Sequence, residues 1–361
     1  QQGGHGRGLV GPRRPVRDHG PRVVAGLDQH DFPGQGRIGA GNELPHVVGS
    51  DARNIWMGTF HSVFARLLRG RDRGTRLGYS QNFTIYDVDD AKTIIKQVVK
   101  EMGLDETVYK PNVVYNRISA AKNQLISWQA YLANGELMAD DASNLRPEMG
   151  RIYKTYQERC FKADAMDFDD ILFNTDKLLK DHLDVLNELQ QRFKYLLIDE
   201  FQDTNLCQYS IVRKIASAYR NICVVGDDAQ SIYGFRGADI TNILNFERDY
   251  PDLKMFKLEQ NYRSTQNIVN AANSVIKRNR AQIPKNVWTA NEQGNQIELI
   301  KALSDNEEGR LVASSIFEEK MQHQLKFSDF AILYRTNSQS RAMEESLRRL
   351  NIKYKIVGGL S

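Results

Sequence analysis

The sequence predicts an α/β fold built on a parallel sheet, and three observations predict it. The first is a short apolar run at residues 195–198 that ends in two adjacent acids, Asp199 and Glu200. A run of this length bounded by charge reads as a buried strand of a parallel sheet. The second is alternation: a helix is expected near residues 208–219, then another apolar strand at 222–225. The third is a further α/β unit starting near residue 296. Its strands are expected at 297–300 and 330–334, followed by a helix carrying Leu347 and Leu350. No self-similarity at a solenoid period is present.

The first fifty residues stand apart. They hold 12 of the 26 Gly, 5 of the 9 Pro and 4 of the 7 His, and no Lys, Thr, Tyr, Trp, Met or Cys. No segment there has a helical or strand period, and such Gly/Pro/Arg-rich composition folds poorly. Residues 1–46 are expected to be disordered or translated out of frame, with ordinary composition beginning near Val47.

Residues 54–70 read as a strand and then a helix closed by Gly70. Residues 86–103 carry capping acids at Asp87 and Asp89, then an apolar stripe at Ile94, Ile95, Val98, Val99 and Met102, then Gly103. From there to about residue 165 the chain reads as a helical subdomain with Lys, Arg and aromatics interspersed.

Composition bounds the function classes. At 361 residues the chain has room for two or three domains. No apolar stretch approaches the roughly 20 residues a membrane helix needs, and no secretory apolar region opens the chain. Cytoplasmic is therefore the default expectation. Cys160, Cys207 and Cys223 lack zinc-site spacing. A net charge of +4 is too small to argue for nucleic acid by itself.

The motifs are more specific. In open α/β sheets ligands bind at the carboxyl ends of the strands, where Asp199 and Glu200 would sit. One carboxylate there can hold a hydrated Mg²⁺, and the other can polarise an attacking water. "LLIDEFQDTN" is followed by "VVGDDAQSIYGFRGAD" (224–239) and "LEQNYRST" (258–265). "GTFHSVFARLLR" (58–69) precedes them, and "FAILYRTNSQSRAMEESLRRLNIKYKIVGG" (330–359) follows. In order, spacing and wording these resemble the UvrD/PcrA/Rep-type superfamily 1 DNA helicases, over residues 47–361.

That resemblance implies a RecA-like P-loop NTPase parallel sheet, an inserted helical subdomain and part of a second RecA-like domain. The implied boundaries are 47–88 with 165–258 for the first motor domain, 89–164 for the insert and 259–361 for the start of the second. It implies ATP and Mg²⁺ as cofactors and single-stranded or partly duplex DNA as partner, with 3′ to 5′ movement. Asp199 would hold Mg²⁺, Glu200 would activate water, and Gln202 and Gln230 would reach phosphate, water or each other. Arg263 would act as an arginine finger and Tyr262 would stack on adenine. Thr59, His61, Tyr233, Phe235, Arg236, Arg335 and Asn337 would outline a DNA track. At Phe235 the family usually has Trp, and stacking survives the exchange.

Two family features are missing. The phosphate loop, G-x-x-x-x-G-K-[ST], is expected in about the first dozen residues, which read "QQGGHGRGLVGPRRP". The slot for a Thr-Phe-Thr-Asn-Lys-Ala motif holds residues 31–36, "DFPGQG". Codons for that hexapeptide, read one nucleotide later, can encode Thr-Phe-x-x-Lys-Ala, which favours a frame error. At the other end, "KIVGGLS" falls where the family continues into a further helical subdomain and the rest of its second motor domain.

Overall fold

The computed structural model describes residues 23–25, 55–234 and 237–357. They divide into two compact units. One runs through Met255 and takes in Ala281–Ile283; the other holds Phe256–Arg280 and the described residues from Pro284 onward.

The first unit is mixed α/β with short parallel strands. Strands β1 (Val23–Ala25), β2 (Trp56–Gly58), β5 (Leu196–Ile198) and β6 (Ile222–Val224) form one sheet in the order β2-β1-β5-β6. Every pairing is parallel, and the register aligns Gly58, Ala25, Ile198 and Val224 in one row. Thr59, Asp199 and Val225 therefore all follow at the same carboxyl edge.

Residues 1–22 and 26–54 lie outside the described residues, as does most of the expected aberrant segment. Within that segment the expectation of no strand fails at Val23–Ala25. The reason is pairing: the segment is laddered in parallel on both sides, by β2 and by β5.

Helix α1 (Phe60–Arg69) starts at Thr59, whose Oγ1 accepts the Ser62 N–H at 3.1 Å, and ends at Gly70. Its Phe60, Leu67 and Leu68 are buried with Ile171 and Leu178 of α7 (Phe168–Asp181) and with Ile198 and Phe201. The expected helix near 208–219 is α9 (Leu206–Ala216), preceded by α8 (Leu183–Arg192) and followed by the single turns α10 (Thr241–Leu244) and α11 (Phe246–Asp249).

The chain leaves this core through β3 (Thr84–Tyr86) and returns through β4 (Ala165–Asp167), which pair in parallel. Between them lie α2 (Val88–Glu101), α3 (Pro111–Asn123), α4 (Trp128–Ala133), α5 (Gly135–Ser143) and α6 (Met149–Lys162). These helices have a core of their own around Ile95, Val98, Val114, Ile118, Ile152 and Tyr156. Asp87 and Asp167 start α2 and α7 with the same device, a capping box closed by Asp90 and Asp170.

Lys122 links the insert to α7. It is 1% exposed and pairs with Asp167 at 2.7 Å and Asp170 at 2.8 Å. Burial works against its charge, but the two carboxylates outweigh that and hold its pKa well above the ordinary lysine range. Burial, then the neighbouring Asp167, pushes Asp170 up to about 6 and Asp169 up to about 7. Burial also pushes on Asp167, where Lys122 prevails and leaves the carboxyl below its usual range.

The second unit contains α12 (Gln266–Ile276), α13 (Asp305–His323) and α14 (Ser340–Arg349). Its small core joins Ala313, Leu347 and Ile352. The strands expected at 297–300 and 330–334 are not formed; among the described residues of this unit the one β contact is the isolated bridge Gln260–Trp288. A strand needs a ladder partner and a surface to bury its side chains. Here Leu299 is 83% and Leu333 94% exposed, and neither segment has a strand partner among the described residues. No helix among the described residues is long and apolar enough to cross a membrane.

Candidate functional site

The site is built on the carboxyl edge of the four-stranded sheet. Asp199 leaves β5 exposed, and its Oδ1 accepts the Glu200 N–H at 3.0 Å. Glu200 takes a left-handed backbone, φ 49° and ψ 42°, which turns the chain sharply into a 3-10 turn at Phe201–Asp203. A non-glycine residue held there costs about 1–3 kcal/mol and persists only where its surroundings fix it. They do so here: the Phe201 N–H donates to the Val225 carbonyl at 2.9 Å, and the Val225 N–H to the Ile198 carbonyl at 2.8 Å.

Gln202 fastens the two strand ends together. It is 0% exposed. Its Nε2 donates to Glu200 Oε2 at 2.8 Å, and its Oε1 accepts the Asp227 N–H at 3.0 Å. Gly226 makes room for this, since a Cβ there would lie 2.7 Å from Gln202 Oε1. With both ends of its amide engaged, Gln202 sits behind the carboxylates and orients Glu200.

Gln230 is exposed just past β6, and its Nε2 donates to Asp227 Oδ2 at 2.9 Å. Asp227 also caps its own turn through Ala229 N–H at 3.0 Å. Asp228 is buried and accepts the Ile283 N–H at 2.8 Å. Sequence reasoning passed over Gly226, Asp227 and Asp228; their signal was a second acid doublet after a second strand, repeating the pattern of Asp199 and Glu200.

Thr59 stands at the same edge as the N-cap of α1. His61, half-buried, meets Phe168 edge-on with ring centroids 5.7 Å apart. Tyr233 is half-buried, and its carbonyl accepts the Ala238 N–H at 3.3 Å. Phe235 and Arg236 lie outside the described residues.

The second unit carries the other candidates in two places. Tyr262 is 78% exposed with its hydroxyl on Gln260 Oε1 at 2.8 Å, and the adjacent Arg263 is exposed on a turn held by Asn261 Oδ1 at 2.9 Å. Arg335 and Asn337 are exposed on the loop before α14, where the Arg335 N–H donates to Gln339 Oε1 at 3.1 Å.

Chemically, the edge offers two carboxylates side by side, one exposed and one held by a buried amide. Such oxygen donors suit a hard divalent cation that keeps part of its water. Among the described residues no cluster of three or more His, Cys, Asp or Glu side chains could hold a metal by itself. A cation here would complete its coordination with water or with oxygens of a bound ligand.

Comparison with known proteins identifies the family. The UvrD/REP helicase N-terminal domain matches residues 27–251, and the UvrD-like helicase C-terminal domain matches residues 256–361. The ATP-dependent DNA helicase PcrA of Staphylococcus epidermidis is 44% identical over 317 residues, 88% of this chain and 42% of that protein. PcrA of Leuconostoc citreum is 44% identical over 308 residues, 85% of this chain and 40% of that protein. PcrA of Staphylococcus aureus strain Mu50 is 44% identical over 316 residues, 87% and 42% respectively. The chain thus spans about two-fifths of the length of the relatives it matches. The carboxylate-bearing sheet edge and the exposed Tyr262–Arg263 turn fall within these matches, and the chain belongs to the UvrD/REP helicase family.

Proposed function

We propose that the protein to which this chain belongs is an ATP-dependent DNA helicase or translocase. It would move 3′ to 5′ on single-stranded or partly duplex DNA and serve repair or replication. The observation that carries this reading is the fixed pair at the sheet edge, Asp199 exposed and Glu200 oriented by buried Gln202. We read the four-stranded sheet as the core of a RecA-like P-loop NTPase domain, residues 47–88 with 165–258. Residues 89–164 are read as its helical insert and 259–361 as the start of a second such domain. The separate apolar cores of the sheet and of the insert support that division.

In this reading Asp199 would hold a Mg²⁺ ion, which would supply charge neutralisation for phosphoryl transfer. Glu200 orients the attacking water and accepts its proton. Gln230 stands where a γ-phosphate sensor would, held ready by Asp227. Tyr262 has an exposed ring for adenine, and Arg263 an exposed guanidinium for phosphate. Thr59, His61, Tyr233, Phe235 and Arg236 form the first unit's DNA contacts, and Arg335 and Asn337 those of the second. Nucleotide-driven closure and opening of the two domains alternates their grip on the strand.

The chain as sequenced contains no Gly-Lys-[Ser/Thr], and its first Lys is Lys92. That favours a second reading for this chain alone: a DNA-binding fragment without ATPase activity, since positioning and charge neutralisation of the phosphates are the main sources of catalysis in phosphoryl transfer. Anisotropy of a fluorescent single-stranded oligonucleotide, with ATP hydrolysis measured in parallel, tests both. Binding at low salt that weakens as salt rises is expected, with no hydrolysis. A flat anisotropy trace at low salt overturns the strand track. Sequencing the coding DNA across residues 1–50 then decides the phosphate loop, because a frame that encodes Gly-Lys-Thr restores the motor reading for this chain too.

A further inference from the structure

Asn123 ends α3, inside the helical insert. Its Oδ1 accepts from Asn205 Nδ2 at 2.7 Å, and its Nδ2 donates to Asp169 Oδ1 at 3.2 Å and Ser119 Oγ at 3.3 Å. The bond from Asn205 fixes which way the amide points, because Asn205 itself is oriented by a backbone N–H that can only donate. Asn205 starts α9: its own Oδ1 accepts the Gln208 N–H at 2.8 Å, which leaves its Nδ2 for Asn123. Both asparagines are 9% exposed.

Asn205 also stands directly after the turn that begins at Glu200. Thr204 closes that turn through its N–H to the Phe201 carbonyl at 3.2 Å. The Thr204 carbonyl accepts the Asp239 N–H at 2.9 Å and Asn242 Nδ2 at 2.9 Å. Lys122, one residue before Asn123, fastens the same end of α3 to Asp167 and Asp170. The insert therefore reaches the end of the carboxylate turn through the Asn123–Asn205 bond, from a helix end that cannot shift without disturbing a buried ion cluster.

We propose that Asn123 is a positioning residue that carries the pose of the helical insert to the Glu200 turn through Asn205. This deepens the proposed function and rests on it for the role of Glu200; the coupling itself does not require it. A load on the insert pulls on Asn205, and the turn that sets Glu200 shifts with it. The insert thereby becomes an input to the carboxylate pair as well as a separate lobe.

Hydrogen exchange on the whole chain, without DNA or nucleotide, tests the coupling whether or not the chain hydrolyses ATP. Asn123→Ala is expected to speed exchange at the amides of Asp203, Thr204 and Gln208 by about tenfold. Asn123→Asp keeps the acceptor for Asn205 and is expected to return those amides to near wild-type rates. It still perturbs Gln124 and Leu125, because it faces Asp169. From the other side, Asn205→Asp keeps the cap on Gln208 but loses the donor to Asn123. It is expected to speed exchange at Gln124 and Leu125, which a role confined to capping α9 would leave alone. Acceleration restricted to the insert in Asn123→Ala, or no response of the insert to Asn205→Asp, overturns the proposal. If Asn123→Ala does not fold, the Asn123→Asp and Asn205→Asp pair decides by the same criteria.

Discussion

Replacing Lys122 by Met removes the ammonium that Asp167 and Asp170 share at 2.7 and 2.8 Å. Methionine fills much of the same volume, so the loss is electrostatic. All three groups are at most 2% exposed, so little solvent screens what is left behind. Tyr156 still donates to Asp167 at 2.8 Å and Gln157 to Asp170 at 3.0 Å, but neither carries charge. Breaking a buried pair in this way costs roughly 3–5 kcal/mol. The sign of the pH dependence follows from the carboxylates. Asp170 has its pKa raised in the fold, from 3.8 to about 6. Between those values the folded state keeps a proton that the unfolded chain has released, so wild-type stability falls as pH rises through that window and levels off above it. Asp169 extends the window to about 7, with a smaller effect because the residue is only half-buried. Lys122 has its pKa raised too, so its contribution is complete below the ordinary lysine value of 10.5 and is lost only above it. In the Met variant the carboxylates move further up, and the decline continues past pH 7 by about 1.4 kcal/mol per pH unit for each proton retained. Urea unfolding at pH 5 and pH 8 reads this: a modest loss at pH 5 and the full loss at pH 8. A loss under about 1 kcal/mol at pH 8, or an equal loss at both, refutes the buried ion cluster.

Three further outcomes are expected. Gly226→Ala places a Cβ 2.7 Å from Gln202 Oε1 and 2.9 Å from Ile243 Cδ1, so Gln202 must leave Asp227; urea unfolding should show about 1–3 kcal/mol lost, and an unchanged midpoint would refute the close approach. Gly309→Ala in α13 places a Cβ 2.5 Å from the Ala342 carbonyl oxygen of α14, so hydrogen exchange should accelerate in both helices while the first unit keeps its rates. Arg335→Ala should lower the slope of log affinity for single-stranded DNA against log salt by about 0.7, the share of one phosphate contact, and an unaltered slope removes Arg335 from the track.

Apart from Val23–Ala25, the strands of the four-stranded sheet and the helices α1, α2 and α9 were legible because they obey local rules. The apolar run before Asp199 has strand length and a charged end, and Asp87 opens α2 with the cap its sequence advertises. The strands expected at 297–300 and 330–334 had the right composition and failed, because pairing is not a local property: Leu299 and Leu333 stay largely exposed and neither segment joins a sheet among the described residues. Val23–Ala25 failed in the opposite sense, since three residues carry no period yet suffice between two ready strands. At the site, residue types gave Asp199 and Glu200, but not that Gln202 is a buried tie. Its role depends on Gly226, 24 positions on in sequence, where the absence of a side chain admits the amide.

The same geometry explains why the carboxylate half of the site can persist in a chain without a recognisable phosphate loop. Among the described residues, the bonds that shape the Glu200 turn run to Asp199, Val225 and Gln202, and Gln202 in turn to Asp227. The next contacts outward are Asp239 and Asn242 on Thr204, and Asn123 on Asn205. All of these side chains come from the strand-loop segment around β5 and β6 or from the insert. A phosphate loop before β2 would bring the ligand to the carboxylates, whereas the orientation of Glu200 is set from behind. Loss of ATP hydrolysis and loss of this geometry are thus separable. A chain that binds DNA with its Asp203 and Thr204 amides protected, yet hydrolyses nothing, would show the first without the second.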